Sequence, residues 1–154
     1  MYIRSKVNLV AGLRGIFVST LVAFTSSVAA QVPVWVGNSS DDYLGKQLAF
    51  EIREGVRRSA GMALADRRQD GRIYLRLTTL DPDDNNRQTV YSATFTVQTY
   101  HDIPIEMYLT SLAGACGRSR IAECARNLVA AADEHATDLK RMLRDVQDTE
   151  RKRK

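Results

Sequence analysis

The sequence predicts an α+β domain: a mainly antiparallel four-stranded sheet with two helices packed on one face, in the order strand-helix-strand-strand-strand-helix. Three observations carry this. Apolar residues recur every four positions from Leu44 to Ala60, alternate with polar ones in three stretches between Ile73 and Leu109, and return at four-three spacing from Ile121 to Val146. Those periods belong to one-sided helices and half-buried strands.

Ahead of the first element, Arg4 and Lys6 form a positive region, Arg14 closes it, and residues 16–25 are apolar. Ser26, Ser27, Val28, Ala29 and Ala30 supply the small residues a signal peptidase needs before Gln31. Residues 1–30 are therefore expected to be a signal peptide, 31–148 a single domain and 149–154 a disordered basic tail, with the protein periplasmic or secreted. An uncleaved membrane anchor is the alternative, since no charge stands between Arg14 and Asp41 and about 20 apolar residues span a bilayer. Ser, Thr, Gln31 and Pro33 dilute that run, which favours cleavage. What remains is enough chain for one hydrophobic core and too little for two.

The net charge of +4 is an effect of the two ends. Without Arg4, Lys6, Arg14 and the terminal Arg151, Lys152, Arg153 and Lys154, the chain holds 15 basic groups against 18 acidic ones. Such a domain has no basic footprint for nucleic acid. A membrane enters only if the leader stays attached.

Val32, Pro33, Val34, Trp35 and Val36 read as a first strand, with proline near its start where a missing donor does least harm. Ser39, Ser40, Asp41 and Asp42 resemble a capping box and open the first helix. Gly61 is expected to close that helix in a left-handed conformation. Gly45 and Gly55 inside it cost about 1 kcal/mol each, which suggests close approach of a neighbouring backbone. Ile73, Leu75 and Leu77, then Tyr91, Ala93, Phe95 and Val97, define two strands joined by a turn at 81–87. A second turn at 101–104 leads into a third, with Ile105, Met107 and Leu109, which should stop at the glycine-cysteine turn beginning at Gly114. In the last helix Ile121, Ala125, Leu128, Ala132, His135, Leu139, Met142 and Val146 form a heptad seam. Strands of six to nine residues are about 20 to 30 Å long, so this helix should overhang the sheet from about Leu139. Leu139, Met142, Leu143 and Val146 then form a candidate interface.

Cys116 and Cys124 are the only cysteines. In an exported chain they should pair, with about 2 to 3 kcal/mol of stabilisation from closing so short a loop. Arg118, Ser119 and Arg120 sit where free backbone donors and the helix dipole favour an anion, making a candidate clamp for a carboxylate or phosphate; ordinary surface arginines are the plainer reading. Residues 81–86 imitate half of a calcium loop, but Asn86 replaces the required glycine and Ser92 stands where a bidentate glutamate belongs, so a hairpin turn is expected and no metal or other cofactor. His101 beside Asp102 is the sole hint of a hydrolase; no nucleophile motif accompanies it. The outward face, with Tyr74, Arg76, Thr78, Thr94, Thr96, Gln98 and Tyr108, is expected to be solvated. These signs point to a small exported, non-enzymatic accessory or binding protein acting through its last helix and the Arg118/Arg120 junction. The alternatives are a small periplasmic hydrolase using His101 and Asp102, and a structural homodimer formed through the last helix.

Overall fold

The computed structural model describes residues 30–98 and 105–153. Nearly all of the expected signal segment, the turn at 101–104 with His101 and Asp102, and Lys154 lie outside them. Strand β1 (Val32–Ser40) leads through helix α1 (Tyr43–Arg58) into β2 (Met62–Leu64). Strands β3 (Ile73–Leu80), β4 (Gln88–Gln98) and β5 (Glu106–Gly117) follow, and helix α2 (Ile121–Arg153) ends the described chain.

The sheet has five strands in the order β2-β1-β3-β4-β5. From β3 to β5 it is the expected antiparallel meander, whereas β1 runs parallel to both β2 and β3. The α+β class stands; the four-stranded, mainly antiparallel sheet is corrected to a five-stranded mixed one. A helix crossover returns the chain to the end from which β1 started, so the strand after it enters parallel. Three residues, Met62 to Leu64, are too few for alternation to reveal, and a 3₁₀ turn at Arg68–Asp70 then turns the chain toward β3.

Both helices cover one face. Val34, Leu75 and Phe95 from the sheet, Leu48 and Ile52 from α1 and Leu128 from α2 are fully buried in one cluster. Each such side chain contributes roughly 1.5 to 3 kcal/mol on leaving water. Helix α1 is capped by Asp42: its carboxylate accepts from the Gly45 amide at 2.6 Å and from the Thr79 hydroxyl. Ser39 and Ser40 are the last residues of β1 instead. A Cβ on Gly45 would overlap the Thr79 hydroxyl, and one on Gly55 would lie 2.7 Å from Cγ2 of Val129. The expected close approach is present, by side chains rather than by a backbone.

The expected left-handed cap at Gly61 is not formed. Ser59 ends α1 in an extended conformation, and its hydroxyl accepts from the amides of Gly61 and Met62 at 3.0 and 3.2 Å, turning the chain straight into β2. The turn before β4 spends Asp81 on the amides of Asp83 and Asn86, at 3.1 and 2.6 Å, while Asp84 and Asn86 take φ of 51° and 54°. Strand β5 continues past Gly114 to Gly117, because Cys116 still pairs with Thr89. Helix α2 runs through Arg153, so residues 149–153 are helical where a disordered tail was expected.

The outer face is drier than the alternation implied. Tyr74 is buried there, edge-on to Trp35 at 6.1 Å, with the guanidinium groups of Arg68 and Arg76 over its ring at 5.7 and 5.9 Å. Glu106 takes both cations, bonding Arg76 at 2.5 Å and Arg68 as well. Burial pushes the Glu106 carboxyl up, but the hydrogen bonds from Arg68 and Arg76 outweigh it and hold the carboxyl below its ordinary range.

Candidate functional site

The strongest convergence is where β5 hands over to α2. Cys116, at the end of the strand, and Cys124, in the first turn of the helix, are both buried and joined in a disulfide with Cα atoms 6.3 Å apart. Between them Arg118, Ser119 and Arg120 form a 3₁₀ turn that runs directly into α2. The Arg118 amide donates to the Arg87 carbonyl at 2.9 Å and its Nε to the Asn86 carbonyl at 3.0 Å, tying the junction to the turn before β4. Arg120 makes a two-pronged pair with Glu123 at 2.9 and 2.7 Å. That bonding raises the Arg120 pKa and lowers that of Glu123.

The two predicted clamp residues thus serve different partners. Arg118 and Ser119 line an open pocket of about 610 Å³ together with Asn85, Arg87 and Gly117, and Arg120 is not part of its lining. The sequence reading missed Arg87. Its only signal was register: Gln88 pairs with Gly117 across β4 and β5, which puts the preceding Arg87 against Arg118. An anion arriving here would meet Arg87 and Arg118, with Arg120 already neutralised by Glu123.

From this anchor α2 crosses the sheet beside α1. Val129 fills the space at Gly55, the Asp133 carboxylate accepts from the Ser59 hydroxyl at 3.2 Å, and Lys140 donates to the Gly61 carbonyl at 2.9 Å. His135 lies half-buried with its ring 5.5 Å from that of Phe95, a packing contact within the core layer. Leu139 also packs against the core, so it belongs to the protomer and not to a bare stripe. Beyond Lys140 the support ends. Every residue from Arg141 to Arg153 is exposed, a projection of about 20 Å at 1.5 Å per residue. Met142, Leu143 and Val146 stand on it 63%, 55% and 57% exposed.

Among the described residues no group of three or more His, Cys, Asp and Glu side chains is placed to hold a metal ion, and no helix is long and apolar enough to cross a membrane. No family model matches the chain, and no curated protein matches it in sequence.

Proposed function

We propose that this is an exported, non-enzymatic binding protein that holds out the second half of α2 for a protein partner. The observation that carries the reading is the solvent-exposed group Met142, Leu143 and Val146 on a helix whose preceding turns are fixed to the body. Val146 follows Met142 by four residues and Leu143 by three, so the three form one apolar strip, flanked by Arg141, Arg144 and Asp145. An amphipathic strip of this kind fits a hydrophobic groove or a second helix on another protein. Export is supported by the disulfide, which persists in oxidising compartments such as a periplasm or the extracellular space. Arg118, with Arg87 beside it, serves as an auxiliary contact for an acidic group on the partner.

The test is photo-crosslinking from position 142 in the producing cell, with the captured protein identified by mass spectrometry. Met142→Lys combined with Val146→Glu should abolish capture and leave the circular dichroism spectrum unchanged. Capture that survives this double change would refute the reading. Arg118→Ala should weaken a retained complex several-fold in a salt-dependent way.

A further inference from the structure

The two sides of the sheet are finished differently. On one side β2 is three residues long, and where it stops the Arg53 guanidinium donates to the Val36 carbonyl at 3.0 Å, occupying one acceptor on the edge of β1. On the other side β5 is twelve residues long and, among the described residues, has no strand beyond it. It contains no proline, lysine or arginine. Its single charge, Glu106, is already taken by Arg68 and Arg76. Met107, Tyr108, Leu109 and Leu112 are all exposed. Short length, charge, proline and bulges are the usual guards of an edge; β5 carries one bulge, at Leu109, and from Thr110 to Gly117 it is a regular edge without any of them, a template for another strand.

The bond from the Arg118 amide to the Arg87 carbonyl fixes which backbone groups point outward. It flanks the Gly117–Gln88 pair, making that pair a non-hydrogen-bonded one. By alternation Ala115, Ala113 and Ser111 then turn their N–H and C=O groups away from β4. We propose that this edge pairs antiparallel with β5 of a second copy, about a two-fold axis at Leu112, joining two five-stranded sheets into one of ten. Ser111 then exchanges both backbone hydrogen bonds with Ala113 of the other copy, and the two Leu112 side chains meet at the axis. Thr110 stands opposite Gly114, and the bulge at Leu109 ends the regular pairing. This pattern selects a second copy: between Thr110 and Gly114 the strand sets its own small residues Gly114 and Ala113 against Thr110 and Ser111, and its one large side chain, Leu112, against itself. No unpaired charge enters the seam. The axis keeps both helical layers on the same face and points the two projecting α2 halves in opposite directions. The proposal stands independently of the partner-binding role of α2.

Light scattering and sedimentation equilibrium on the purified protein are expected to give a dimer. Ala113→Pro removes one outward N–H and leaves the β4 ladder intact; it should halve the molar mass with an unchanged circular dichroism spectrum. Leu112→Lys should do the same, and decides the matter if the proline variant fails to fold. Leu112→Cys should close a bridge between copies on oxidation, because Cα atoms of a non-hydrogen-bonded pair lie about 4.5 Å apart. Peptide mapping should then link position 112 to itself with Cys116–Cys124 intact. Met142→Lys with Val146→Glu should remain dimeric. A monomeric native protein, a dimer that survives both edge variants, or a dimer lost only with the α2 variant would overturn the proposal.

Discussion

The first half of α2 and its second half share one apolar repeat but meet opposite surroundings. Ile121, Ala125, Leu128 and Ala132 are buried, whereas Met142 and Val146, at the far end of the same seam, are exposed. Two seam positions of the first half, Ala125 and Ala132, are small, with buried Ala136 beside them, which lets α2 lie close to the sheet, and Val129 fills the space at Gly55. In the second half the seam residues are large and nothing within the described chain stands opposite them. Periodicity therefore tells which side of a helix is apolar, and the extent of the sheet decides how much of that side is covered.

The largest expected contrast is in amide hydrogen exchange. Leu128 should exchange roughly a thousandfold or more slowly than Val146, because one opens with the whole domain and the other only frays. Equal protection of both would mean that the second half is covered in solution. Next, Leu128→Ala should cost about 2 to 5 kcal/mol in urea unfolding, while Val146→Ala should stay within about 0.5 kcal/mol of wild type.

Removing the anchor by Cys116→Ala with Cys124→Ala should cost about 2 to 3 kcal/mol, read in the same titration, and should leave the exposed half of the helix unaltered. A Gly55→Ala change sharpens the comparison from the α1 side. The new methyl presses on Val129, which outweighs the gain in helix propensity and leaves a net loss of about 1 kcal/mol; the melting temperature reports it.

The smallest effect concerns pH and the sheet on which the buried half rests. Glu106 has its folded pKa held below the ordinary 4.5 by Arg68 and Arg76, against the opposing pull of burial. Its contribution is complete above that ordinary value and is lost as pH falls through the lower folded one. Melting temperatures of wild type and Glu106→Gln should therefore differ at pH 7 and converge in acid, with the projecting half of α2 contributing nothing to the change.

Much of this was legible because local period reflects local burial. Leu44, Leu48, Ile52 and Val56 mark α1, and the alternation around Leu75 and Phe95 marks β3 and β4, by spacing alone. Pairing was less legible. Nothing local in Val32 to Val36 says that its neighbours run parallel, and the three residues Met62 to Leu64 are too few to establish an alternation. Tyr74 read as an outward, wet residue because its cover comes from Trp35, Arg68 and Arg76, which lie in three separate segments. For the candidate site, cysteine count and export signals pointed to the disulfide. The separation of Arg118 from Arg120 depended on Glu123 three residues on and on strand register.

The Gly61 carbonyl accepts from two sides, from the Lys140 ammonium at 2.9 Å and from the Val32 amide at 3.0 Å. One oxygen thus joins the point where α2 leaves the body to the first residue of β1. Mechanically, that oxygen sits at a fulcrum. A pull on the projecting helix is delivered past it into β1, a strand held on both sides by β2 and β3, and not into a sheet edge that peels one hydrogen bond at a time. The lever can then be loaded by whatever grips it while the sheet shares the strain across several bonds at once.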